Sequence, residues 1–179
     1  MPLVVEEFLL PISEASPSGE DLKYDKVFAD IKEARREEED LNQGQWKTEI
    51  KLADFPKVIN LTTTALKKRS KDLWITAWLT EAVLRKDGFG EFASALKLFH
   101  ALLEKFWDTI HPMIDEDDVE LRAAPLNWLT LKWIELPIRN SPLNRDGHGL
   151  LQYKQSRTVV SEELAKTPAQ KKEREAQKQ

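Results

Sequence analysis

Residues 72–86 constrain the fold more than any other stretch of this chain. On a helix, Leu73, Trp74, Ile75, Ala77, Trp78, Leu79, Ala82, Val83 and Leu84 cover most of the circumference. Thr76, Thr80 and Glu81 leave only a narrow polar edge. A helix that is apolar nearly all round must be surrounded by other elements. The spacing therefore predicts a multi-helix domain with this helix at its centre, stopped by Lys86-Asp87-Gly88.

The flanking segments supply the surround. Tyr24, Val27, Phe28, Ile31 and Ala34 form one stripe and predict a helix over 25–40, whose far end, residues 35–40, is charged all round and solvated. Asn42-Gln43-Gly44 ends it. Asp54 and Pro56 begin the next helix, where Val58, Ile59, Thr62, Ala65 and Leu66 recur on one face. Lys67, Lys68 and Arg69 fall in its last turn, where cations suit the negative end of the helix dipole. Phe92, Leu96, Phe99, Leu103 and Phe106 predict a seam on a helix over 89–108, antiparallel to the central one across the short Gly88 link. Pro125 is read as starting a further helix with stripe Leu126, Leu129, Trp133 and Leu136, closed by Pro137. Residues 138–149 read as loop, and Leu150–Tyr153 as a short extended piece docking back on the core. From residue 161 the chain is a polar helix or linker. The expected fold is all-α, a bundle of antiparallel hairpins with five core helices. Residues 1–155 form the domain and 156–179 the polar tail.

Composition excludes several classes. Lys plus Arg number 27 and Asp plus Glu 31, a net charge of −4 with both signs mixed. A nucleic-acid footprint would need a basic face. There is no cysteine, which removes disulfides, thiolate metal sites and cysteine nucleophiles. No apolar run approaches membrane-spanning length, and the start of the chain lacks a basic leader pattern. The cytoplasm is the expected compartment.

Residues 11–25 carry the densest local signals: Pro11-Ile12-Ser13, Pro17-Ser18-Gly19, Asp21-Leu22 and Tyr24-Asp25. The prolines fix φ and bias the preceding residues toward extended structure. Gly19 permits a turn with positive φ. Asp21 or Asp25 can cap the helix that follows. This is a structured loop closing onto a helix. Downstream come Arg69-Ser70-Lys71-Asp72-Leu73, Phe106-Trp107-Asp108, His111-Pro112, Asp115-Glu116-Asp117 and Leu126-Asn127-Trp128-Leu129. In order and spacing, these pieces resemble the ImpA-type N-terminal domain of TssA-class proteins of bacterial type VI secretion, over residues 8 to about 136. One departure is Lys26, where the resemblance leads one to expect proline.

The resemblance implies a non-enzymatic assembly domain acting on baseplate, tail-tube or sheath proteins. Relatives continue into further domains, the last of which builds rings, so this chain is expected to be a fragment or short paralogue. Alone it should be a monomer or small homodimer. The partner-contact candidates are Ser18, Gly19, Asp21, Tyr24 and Trp46, the last an aromatic in a polar segment. A helical adaptor or chaperone-like module for another secretion component is the second reading.

Catalytic patterns are incomplete. Ser94-Ala95-Leu96-Lys97 has serine and lysine one turn apart without the supporting segments. His111 and Asp115 flank a proline loop but do not complete a metal site. Residues 115–118 lack the glycine of a calcium loop. Glu81 is the one carboxylate placed for burial, and Arg69 and Asp72 are positioned to pair. A small hydrolase lacks a convergent nucleophile, base and orienting group. No catalytic, cofactor or metal residue is therefore assigned.

Overall fold

In a computed structural model of the chain, residues 3–38, 51–114 and 119–158 are described, without the side chains of residues 132–134 and 136. A 3-10 turn, Val5–Phe8, precedes seven α-helices among them: α1 (Lys26–Arg35), α2 (Phe55–Lys68), α3 (Leu73–Asp87), α4 (Phe89–Phe106), α5 (Glu120–Thr130), α6 (Lys132–Asn140) and α7 (Leu150–Thr158). The chain is all-α. It divides into two units, Met1–Glu135 and Leu136–Gln179.

In the first unit α3 is the hub. It packs against α2, α4 and α5. Asp72 caps it by accepting from the Ile75 N–H at 3.0 Å, and Gly88, at φ 76°, ends it. Every residue from Ile75 to Leu84 is buried. The polar edge is internal: Thr76 and Thr80 donate to the carbonyls of Asp72 and Thr76 at 2.7 and 2.8 Å. Glu81 meets Arg35 of α1 at 2.7 Å. These partners satisfy polar groups that would otherwise make burial costly.

Helix α2 follows its sequence signals, with Asp54 accepting from Lys57 N–H, Pro56 in the first turn and Val58, Thr62, Ala65 and Leu66 buried. Helix α1 stops earlier than expected, at Arg35. Arg36 is extended, the Glu38 N–H donates to the Lys51 carbonyl at 3.0 Å, and the Asp54 N–H donates to that of Ala34 at 2.8 Å. The charged run has no apolar side chain to hold another turn on the core, so the backbone pairs with the segment before α2. The expected stop at residues 42–44 lies outside the described residues, as does Trp46.

Helix α4 is where expected but rotated. Its buried residues are Ala95, Leu98, Phe99, Leu102 and Phe106, while Leu96 is 43% exposed. Only Phe99 and Phe106 of the predicted seam are buried. The helix carries apolar residues over so wide an arc that packing against α3 and the 3-10 turn selects the face.

The last predicted core helix is two helices. Helix α5 starts at Glu120, a turn before Pro125, which lies inside it. Arg122 holds that early turn from below: its guanidinium donates to the carbonyls of Trp107, Ile110 (3.1 Å) and Pro112 (2.8 Å). Leu131 is extended and breaks the chain before α6, which carries Pro137 internally. In the second unit Ser141 N–H and Oγ both bond the Pro137 carbonyl. Residues 150–158 form helix α7, not an extended piece, with Leu151 and Tyr153 exposed. Residues 159–179, including the expected tail, lie outside the described residues.

Candidate protein-interaction surface

Three separate sequence segments are laced together beside the start of α3. Gly19, at φ 75°, forms an antiparallel bridge with Ser70. Lys71 N–H donates to Ser18 O at 2.7 Å and Glu20 N–H to Arg69 O at 3.2 Å. On the other side His111 N–H donates to Lys71 O at 3.0 Å and Leu73 N–H to His111 O at 2.8 Å. The ring Nε2 of His111 lies 3.2 Å from Gly19 O and donates to it, which ties the first segment to the third. Ser18 Oγ and Thr109 Oγ1 share a hydrogen bond of 2.7 Å. The backbone groups of the loop are thereby satisfied without a sheet.

Arg69 fixes the loop from outside. Its guanidinium grips both oxygens of Asp25 at 3.0 and 2.8 Å and also reaches Glu20 at 2.8 Å. Planar two-point pairing of this kind suits arginine. Hydrogen bonding to Arg69, then to the Val27 N–H, holds the Asp25 carboxyl down at about 2. The expected pairing of Arg69 with Asp72 does not form; Asp72 instead caps α3. Burial pushes the Asp72 carboxyl up to about 6, against the bonds it receives from Ile75 and Trp74 N–H. Lys71 is wholly buried, donating to Leu66 O at 2.7 Å, and burial pulls it down to about 8.

The clasped loop stands at the edge of a groove of 490 Å³ that runs over the N-terminal half of α3. Phe28 of α1 and Trp74 and Trp78 of α3 provide aromatic lining. Pro112, Met113, Leu121 and Ala124 provide aliphatic lining, and Asp21, Lys23, Lys32 and Asp72 the charges. Phe28 meets Trp78 edge-on at 4.6 Å between centroids, and Trp74 meets Trp128 at 6.3 Å. Arg35 lies over the Trp78 and Trp128 rings at 5.4 and 4.9 Å, joining α1 to α5. Beside the groove, Tyr24 is 91% exposed. The floor of the groove is thus aromatic, with Phe28 and Trp78 buried and Trp74 half-buried, while Met113 and Leu121 on its wall are exposed.

Residues 9–130 match the family described as ImpA, N-terminal, type VI secretion system. The chain belongs to this family. TssA1, a type VI secretion system component of Pseudomonas aeruginosa, is 30% identical over 128 residues, covering 72% of this chain and 37% of its own length. A solved structure is also similar: the N-terminal domain, including the conserved ImpA_N region, of the TssA component of the type VI secretion system from Burkholderia cenocepacia. It has a TM-score of 0.73 and 33% identity, over 89% of this chain and 60% of that one. The chain thus spans well under half of the curated relative.

Within this ImpA N-terminal domain the candidate residues separate into two groups. Ser18 is 1% exposed and Gly19 lies against Arg69, so both act inside the clasp. Asp21 and Tyr24 face outward, Asp21 on the groove and Tyr24 next to Lys23. His111 is 8% exposed with its ring tied to Gly19, and its buried Nδ1 has no hydrogen-bond partner among the described residues. Asp115 and Asp117 lie outside the described residues. Among the described residues no group of three or more His, Cys, Asp or Glu could hold a metal, and no helix is long and apolar enough to cross a membrane. Sequence reasoning placed Trp74 with the core and did not single out Lys32, Met113 or Leu121. Trp74 does pack against the core, as read, and is half-buried because its other side lines the groove.

Proposed function

We propose that this ImpA-type domain is a non-enzymatic docking module of a bacterial type VI secretion system, working in the cytoplasm on a baseplate, tail-tube or sheath protein. The contact face is the outer side of the clasped loop, Asp21 to Tyr24, together with the aromatic groove beside it. One observation carries this reading. The buried part of the signature is used up in fixing the loop, and that bonded loop carries an exposed tyrosine next to Lys23, which lines a groove floored by Trp74 and Trp78. A preorganised aromatic surface binds with little ordering cost, and Tyr and Trp dominate interface energetics. The relatives are described as components of the same secretion system, which supports the choice of partner class. Single-site affinity should be modest and should rise when a ring-forming C-terminal region displays many copies, through effective concentration.

Binding of purified tail-tube, sheath and baseplate proteins tests this. Tyr24→Ala and Trp74→Ala are each expected to weaken capture of one of them by roughly tenfold or more while the helical circular dichroism spectrum persists. Undiminished capture by both variants would remove this face from consideration.

A further inference from the structure

The charges around the groove specify what kind of segment fits it. We infer that its occupant is a peptide segment that sets apolar side chains over Trp74 and carboxylates against Lys23 and Lys32; this rests on the docking face proposed above. The groove's 490 Å³ falls in the range of cavities that bury a drug-sized ligand, room for a few anchoring side chains. Four charged side chains line it. The two acids already have donors: Asp72 receives the Ile75 N–H at 3.0 Å, and Asp21 receives the Lys23 N–H at 2.9 Å.

Among the described residues the two lysines have no acceptors. Lys23 Nζ rests over the Tyr24 ring at 5.4 Å, and Lys32 Nζ over the Phe28 and Trp78 rings at 4.9 and 6.0 Å. Among the described residues neither forms an ion pair. Their neighbours do: Lys26 pairs with Asp30, Arg35 with Glu81, Arg36 with Glu33 and Arg69 with Asp25. The cations left unpaired on this side are therefore those that face the cleft. An ammonium held only by a ring face gains more from a carboxylate, and an entering acidic side chain would draw Lys32 off the indole it covers. Such complementarity sets partner choice and salt sensitivity more than raw affinity.

The test uses the full chain and two synthetic probe peptides with the same Phe and Leu residues, flanked by Glu in one and by Lys in the other. The Glu-flanked probe is expected to shift the indole N–H resonances of Trp74 and Trp78 and to bind about tenfold more tightly than its counterpart, with the preference reversed in the K23E/K32E double variant. Both lysines are exposed, so that variant keeps its fold. Tighter binding of the Lys-flanked probe overturns the inference and assigns the preference to Asp21 and Asp72. Equal binding, no binding of either probe, or an unchanged preference in the double variant overturns it as well. If Tyr24→Ala and Trp74→Ala weaken capture of the secretion partner but K23E/K32E does not, the docking face stands and only its chemistry falls. If none of the three does, both fall.

Discussion

At Gly19 the backbone turns with φ 75° while a Cβ added there would sit 2.0 Å from the Arg69 carbonyl oxygen. Either condition alone disfavours a side chain; together they leave no route to relief, because the opposing atom is backbone in a bridged pair. Gly19→Ala is expected to destabilise the fold by more than about 2 kcal/mol, measured by urea unfolding. Asp72 makes a second residue-scale prediction. Its folded pKa, about 6, lies above the ordinary 3.8, so the native state binds more protons between about pH 4 and 6. This contribution to stability is largest at low pH and is lost as pH rises through about 6. Relative to wild type, Asp72→Asn should gain on the order of 2 kcal/mol between about pH 4 and pH 7, read from chemical unfolding at each pH. Asp25 acts in the opposite sense, since Arg69 holds it at about 2: its contribution is present above about pH 4 and disappears as pH falls toward 2.

The helices differ in how far their own residues decide their placement. Helix α3 needs no outside information, because all but a narrow polar edge of its circumference is apolar. Helix α4 does, because its apolar arc admits more than one buried face. Leu98, fully buried, and Leu96, 43% exposed, are two residues apart and chemically identical, so they report which face was chosen. Leu98→Ala should cost about 2–5 kcal/mol and Leu96→Ala well under about 1 kcal/mol, by thermal or denaturant unfolding. Equal losses at the two positions would restore the seam expected from spacing alone. The early end of α1 and the early start of α5 have the same kind of cause. The backbone of α1 is captured by residues 51–54, and the first turn of α5 is anchored by the buried Arg122 guanidinium.

For the whole molecule, the helices of the first unit take one another as partners, and the sequence beyond Ser161 has too few apolar residues for a heptad seam. The isolated chain is therefore expected to be a monomer or a small two-fold dimer. Light scattering at micromolar concentration checks this, and a stable species of about six or more subunits would place a ring-forming surface within these residues.

The helical class, the central place of α3, the caps at Asp25 and Asp54 and the stop at Gly88 were all written in local chemistry: periodicity, short polar side chains before helices, and a residue without Cβ. Such signals act within one or two turns of chain and survive in the sequence. The clasp was legible only as three separate motifs, because its bonds join residues as distant as Gly19 and His111. The partner of Arg69, the buried face of α4 and the place of half-buried Trp74 along a groove were decided by tertiary packing. Each depends on which of several chemically adequate neighbours arrives, and that is a property of the assembled helices, which no single segment encodes.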